Sequence, residues 1–256
     1  MFGQPPDTSW NFESTAHTEA LSRLLYVAEQ GEPFVLLVGE RGTGKSTLLR
    51  QVQSECSRFG HSAVLINVAA LDDVAFLWHL CGALSISPRA EQSRTELLAA
   101  VRDEIAGRAL CQHATVVILD DLHRAAEDLS PMVQYLSGLS GQTEGAISVI
   151  AASEPSPAAA FSNQSALRVE LTLLNETESK QFASGMLRSR KIPTNSITSD
   201  SLTAIADFGQ GSPARLVRLC EMLKVAVTSN PDLRVTPDVV EVLTEETLMP
   251  GSPGGR

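Results

Sequence analysis

The chain has 256 residues, 43% of them hydrophobic, enough to bury a core in one large domain or in a large and a small one. Its longest apolar runs, such as Phe34 to Val38 and Val116 to Leu119, fall far short of the roughly 20 residues that cross a bilayer, so no membrane span is expected. A formal charge of −10 argues against broad electrostatic adhesion to nucleic acid or anionic lipid.

In chain order, the opening Met1-Phe2-Gly3-Gln4-Pro5-Pro6-Asp7 lacks the basic start and apolar stretch of a signal peptide, and the cytoplasm is the expected compartment. Short β-branched or leucine-rich runs then recur, each followed by a helical pattern, which predicts an α/β fold with a parallel sheet flanked by helices. Phe34 to Val38 reads as the first strand. A helix from Lys45 to about Arg58 follows, with Leu48, Leu49, Val52 and Cys56 on one side and Gly60 as its stop. Ala63 to Val68 is a second strand. Two helical stretches, roughly Asp73 to Leu84 and Arg94 to Leu110, are separated by the breaker Ser85-Ile86-Ser87-Pro88. Thr115 to Asp120 is the third strand, followed by a helix near Leu129 to Leu139, a strand Ile147 to Ala152, a turn rich in Pro and Ser, and a short strand Arg168 to Leu171 that ends the sheet. Beyond Leu173 helices dominate, at about Glu176 to Arg190, Ser199 to Phe208, Pro213 to Ser229 and Pro237 to Leu243. The expected organisation is a core over 1–172, a small helical lid over 173–248 and a disordered tail over 249–256.

Between the first strand and its helix lies Gly39-Glu40-Arg41-Gly42-Thr43-Gly44-Lys45-Ser46. A triphosphate must be held by many donors at once, and Gly39, Gly42 and Gly44 let backbone N–H groups converge without side-chain interference. The loop opens a helix whose N-terminal partial positive charge adds to the field, Lys45 can reach the β and γ phosphates, and the Ser46 hydroxyl can ligate magnesium. An apolar strand before it and an amphipathic helix after it form the context that a phosphate loop requires. The run from Gly39 to Thr47 is therefore the candidate cradle for ATP. Asp120, at the end of four apolar residues, places a carboxylate at the carboxyl edge of the sheet, where it can hold Mg2+ through water. Asp121 can orient or deprotonate the attacking water, or else cap a helix. The strand Ala63 to Val68 lies in sequence between the cradle strand and the Asp120 strand, so those two can be neighbours in the sheet without being adjacent in the chain, as in the additional-strand type of P-loop domain.

Other polar residues offer supporting roles. Ser153, just past the Ile147 to Ala152 strand, can sense the γ-phosphate or simply form a turn before Pro155. Arg215, following Gly211-Ser212-Pro213-Ala214, can fold back onto phosphates or stand in solvent. Arg168 can complete a neighbouring subunit's site or be a plain surface arginine. The scattered Cys56, Cys81, Cys111 and Cys220 read as buried thiols, and Cys111-Gln112-His113 has no second half that would make it a metal site.

The segments Phe2-Gly3, Ala16 to Tyr26 and Gly39 to Arg50 resemble the cytoplasmic ATPase domain of the general secretion pathway protein A, or ExeA, family, and Gly211-Ser212-Pro213 with Leu219-Cys220 resembles that family's lid-helix signature. The resemblance extends over nearly the whole chain and places it among AAA+ ATPases. It implies a nucleotide-driven oligomer, ring or filament, acting on protein partners in a secretion-type system. Asp121 stands where that family usually has its catalytic glutamate and His123 where it tends to have glutamine. Ala214 takes the place of its phosphate-sensing arginine, with Arg215 one position later, about 100° further round the helix. No transmembrane or peptidoglycan-binding segment is read in these 256 residues, so the family's envelope anchoring is not expected to carry over.

Two other classes share these features. Transposition-type ATPase regulators similar to TniB and MuB bind DNA and carry a Gly-x-x-x-Arg lid element that Gly211 to Arg215 satisfies, against which the acidic charge counts. Non-hydrolysing switches of the STAND type fit Asp121 and the run Asp120-Asp121-Leu122-His123. An ATP-hydrolysing, self-associating protein is the favoured reading, with Arg188 and Arg190 next after Arg168 as arginines offered to a neighbour.

Overall fold

The computed structural model describes residues 12, 14–126, 129–143, 145–158, 167–192, 197–230 and 232–248. They divide into a sheet unit, Ala16–Glu40 with Gly44–Thr172, and a helical unit running from Leu173 that also takes in Arg41–Thr43 and the residues up to Thr15. The expected tail over 249–256 and the Phe2-Gly3 pair lie outside the described residues.

The sheet unit opens with α1 (Thr15–Gln30), β1 (Phe34–Gly39), α2 (Lys45–Arg58) and β2 (Ser62–Asn67). It continues through α3 (Asp73–Ala83), α4 (Arg94–Leu110), β3 (Thr115–Asp120), a 3-10 turn Leu122–Arg124 and α5 (Leu129–Gly138). A second 3-10 turn Leu139–Gln142, β4 (Ile147–Ser153), the single turn α6 (Pro155–Ala158) and β5 (Leu167–Leu171) complete it. Every strand pairing is parallel, in the order β2-β3-β4-β1-β5. β1 and β3 are therefore not neighbours, contrary to the expectation from sequence: the additional strand between them is β4, which pairs with both.

A parallel sheet must be covered on both faces, so its inner strands read as continuous apolar runs. β1, β3 and β4 are buried along their whole length. Alternation then sorts their side chains. Phe34, Leu36 and Val38 join Val117, Leu119 and Val149 under α3, α4 and α5, while Val35 and Leu37 join Val116, Ile118 and Ile150 under α1 and α2. Side-chain caps start the outer helices: Asp72 accepts from the Ala75 N–H at 2.7 Å, and Ser93 with Glu96 forms a reciprocal capping box. Each such cap contributes about 1 kcal/mol. Three of the cysteines are buried as expected; Cys111, where α4 ends, is exposed instead.

The helical unit comprises α7 (Glu176–Ser189), α8 (Ser199–Gly209), α9 (Pro213–Ser229) and α10 (Pro237–Leu248). Its core is a separate cluster including Leu187, Ile205, Leu216, Leu219 and Leu223, and Phe12 meets Phe182 edge-on with ring centroids 5.3 Å apart. Asn175 and Glu178 box the start of α7, and Pro213 takes the first turn of α9, where its missing N–H costs nothing.

Candidate nucleotide site

The loop after β1 turns through Gly42 at φ +84 and Gly44 at φ +100, left-handed angles that a side chain rarely adopts. A Cβ on Gly44 would meet no protein atom within 4 Å, so the backbone angle, and space left for a ligand, account for glycine there. Gly39 differs: it is the last residue of β1, in register with Leu171, and its φ is not positive. Gly44 immediately precedes α2 without a capping side chain, so no side chain covers the helix start and the positive end of its dipole, a combination that binds anions.

Lys45, the first helical residue, is buried, and its Nζ donates to the carbonyls of Gly39 at 2.7 Å and Glu40 at 3.0 Å. Burial pushes its ammonium below the usual lysine value, while the carboxylates of Glu154, Asp120, Asp121 and Glu40, in decreasing strength, pull it back up. Ser46 is half-buried and Thr47, Glu40 and Arg41 are exposed, whereas Thr43 is buried. Within the helical unit, the Ala214 N–H donates to the Gly42 carbonyl at 3.1 Å. Arg215 is exposed there and bonds Gln210.

At the carboxyl edge of the same sheet, Asp120 is buried and its Oδ1 accepts from the Asp121 N–H at 3.0 Å. Asp121 leaves the strand at φ 59, ψ 37, a left-handed conformation that aspartate tolerates better than most residues. Its Oδ2 accepts from Asn67 Nδ2 at 3.0 Å and lies 4.0 Å from the Arg124 guanidinium. No side-chain cap starts the 3-10 turn after it. Ser153 ends β4 with no exposure, and its hydroxyl donates to the Glu154 carbonyl at 3.1 Å. The structure thus brings Lys45, Asp120 and Asp121 into one electrostatic neighbourhood and leaves Ser153 fully buried.

Two residues went unnoticed in the sequence. Asn67 ends β2 in register with Asp120, and Glu154 follows β4. The signal was available: both are polar residues terminating apolar strands at the carboxyl edge, the same observation that singled out Asp120. Of the arginines considered for a neighbouring site, Arg168 on β5 pairs with Glu170 at 3.0 Å and stays partly exposed, Arg190 is largely buried against Glu221, and Arg188 is exposed.

Among the described residues no cluster of three or more His, Cys, Asp or Glu side chains could hold a metal by itself. Mg2+ needs only one or two protein oxygens, completing its shell with water and phosphate. Asp120 and Ser46 offer hard oxygen donors of the right kind.

Known proteins resemble this chain in sequence and in fold. Residues 12–150 match the family described as the AAA ATPase domain. General secretion pathway protein A of Aeromonas hydrophila is 24% identical over 154 residues, 60% of this chain but only 28% of that protein, so the chain spans under a third of that relative's length. Among solved structures, Cdc6p from Pyrobaculum aerophilum superposes with a TM-score of 0.76 at 18% identity, covering 96% of this chain and 71% of that one. The Aeropyrum pernix ORC1 protein, solved in complex with DNA, gives 0.68 at 15% identity, covering 94% and 68%. The Thermotoga maritima RuvB Holliday junction branch migration motor gives 0.57 at 17% identity, covering 92% and 70%. At such identities the structural likeness shows the fold alone. The sequence match carries the assignment further, because it takes in more than half of the chain, from before β1 through the phosphate loop and β3 into β4: this chain belongs to the AAA ATPase domain family.

Proposed function

We propose that the chain binds ATP with Mg2+ and hydrolyses it to ADP and phosphate. The observation that carries this reading is Lys45, a buried cation at the start of a dipole-bearing helix, held on the loop's own carbonyls within the field of Asp120 and Asp121. The loop N–H groups and Lys45 bind the phosphates, and Asp120 and Ser46 would hold the metal. When bound, the ion offsets the charge that develops on the phosphate oxygens. A carboxylate at the strand edge accepts the proton of the attacking water, a role the sequence gives to Asp121. Lys45→Ala is expected to abolish binding of a fluorescent ATP analogue with the melting temperature unchanged. Wild-type affinity in that folded variant refutes the assignment.

The wider role we infer is nucleotide-driven assembly or remodelling of a protein complex, with self-association into a ring or filament. Similarity to General secretion pathway protein A supports a secretion-type partner. A DNA-binding role is the second reading, prompted by the relative solved in complex with DNA. ATP turnover measured with and without duplex DNA separates them: stimulation selects DNA, and indifference leaves the protein partner.

A further inference from the structure

β5 is the last strand in the order β2-β3-β4-β1-β5, and among the described residues it pairs only with β1. The other side of such a strand presents backbone donors and acceptors to whatever comes beside it. A groove of about 370 Å³ lies there, walled by Arg168, Val169 and Glu170 of β5 and by Ala16, Glu19 and Arg23 of α1. Each wall carries an exposed ion pair along its own element, Arg168 with Glu170 and Arg23 with Glu19.

The strand itself reads Leu167-Arg168-Val169-Glu170-Leu171. Reversed, it keeps its apolar positions and exchanges its charges. An antiparallel copy centred on Val169 therefore sets Leu167 against Leu171, Arg168 against Glu170 and Val169 against Val169. The faces agree as well, because side chains alternate along a strand. Leu167, Val169 and Leu171 belong to the apolar side under α1 and α2, while Arg168 and Glu170 are exposed. Charges on an edge strand discourage pairing when like meets like; here a two-fold axis brings unlike charges together, which favours the cross-strand pair. The intrachain pair that must open is exposed and contributes little. The same axis sets the two copies of α1 antiparallel on one side of the seam, so Glu19 of each can meet Arg23 of the other.

We propose that two copies of this chain associate through β5, edge to edge and antiparallel, joining their sheets into one continuous sheet. The contact is isologous, unlike the head-to-tail contact of a ring or filament, so one does not preclude the other. In a copy so paired Arg168 is taken up by the seam, and the exposed Arg188 remains for a neighbouring nucleotide site.

Sedimentation velocity of the full chain without nucleotide tests this, under reducing conditions that keep the exposed Cys111 from cross-linking. A seam five residues long is small, so concentrations up to roughly 100 micromolar are needed. Wild type should pass from monomer to dimer across that range. Arg168→Glu and Glu170→Arg each set like charges opposite one another and should abolish the dimer. The double variant, Arg168→Glu with Glu170→Arg, regains the complementary order and should dimerise again. An equimolar mixture of the two single variants should also associate, since one copy offers two glutamates and the other two arginines. Both positions are exposed, and melting curves check that each variant is folded. A wild type that stays monomeric, single variants that dimerise as well as wild type, or a double variant and a mixture that both stay monomeric overturn the proposal. Dimerisation that appears only with an ATP analogue overturns it too, because this edge owes nothing to nucleotide.

Discussion

Asp121 shows how a backbone angle decides between two chemically similar side chains. Its φ of 59 and ψ of 37 suit the short Asp or Asn side chain, whereas most L-residues lose about 1–2 kcal/mol there. The aspartate that departs from the resembled family's glutamate thus matches the conformation in which it sits. Asp121→Glu is expected to destabilise the chain by about 1 kcal/mol relative to Asp121→Asn, as read from urea unfolding midpoints. Equal midpoints would show that the angle imposes nothing. The thiols make a second residue-scale prediction. Burial pushes Cys56 up to about 11 and Cys220 up to about 12, and raises Cys81 as well, while Cys111 is exposed. At pH 8 a thiol reagent should label Cys111 rapidly in the native chain and the other three only after unfolding, since the thiolate is the reactive form. Lys45 and Ser46 were legible because the Gly-rich spacing between strand and helix announces them, and Asp120 because it closes a run of four apolar residues. Glu154 and Asn67 are single polar residues after apolar runs, and only the sheet order shows what they stand beside.

At the scale of elements, strands and helices were readable wherever one period ran unbroken, and the expected positions of β1, α2, β3 and α9 match the structure to within a residue or two. α1 was missed. Its buried positions Ala20, Leu24, Val27 and Ala28 have helical spacing, but two of the four are alanines, so the apolar stripe is faint. The strand order was beyond local pattern altogether, because the pairings that set it join distant segments. Turn residues were read as punctuation, yet Gly211 does more: at φ +73 its carbonyl accepts from the Leu174 N–H at 2.9 Å, and a Cβ would come within 2.4 Å of the Leu174 carbonyl oxygen. Gly211→Ala therefore combines backbone strain of about 1–3 kcal/mol with a clash against main chain that cannot move aside cheaply. A melting temperature lowered by several degrees is the expected result, and an unchanged one would mean that the turn relaxes.

For the whole molecule, the proposed self-association leads to a prediction about turnover. An arginine offered across an interface adds charge to the γ-phosphate only when the neighbour is docked, which makes turnover conditional on assembly. Of the three arginines weighed for this role, Arg168, tied to Glu170 by an exposed pair that is cheap to break, and the exposed Arg188 can be offered, whereas Arg190 is held by Glu221. Specific activity should rise with protein concentration, and light scattering should increase with a non-hydrolysable ATP analogue. A monomer of constant specific activity at tens of micromolar, roughly well above weak-interface dissociation constants, would exclude a shared site. The sheet order also bears on how the chain is made. β1 pairs on one side through Phe34 with Val149 and on the other through Val35 with Leu167, so this apolar strand leaves the ribosome with both partners still unsynthesised. Until β4 and β5 emerge, Phe34 to Val38 has nothing to hydrogen-bond to and presents an aggregation-prone segment to the cell, whose natural custodian is a chaperone. A chain truncated after residue 146 keeps the phosphate loop and both aspartates yet is expected to be insoluble, while one ended after residue 172 should retain β1 paired on both sides.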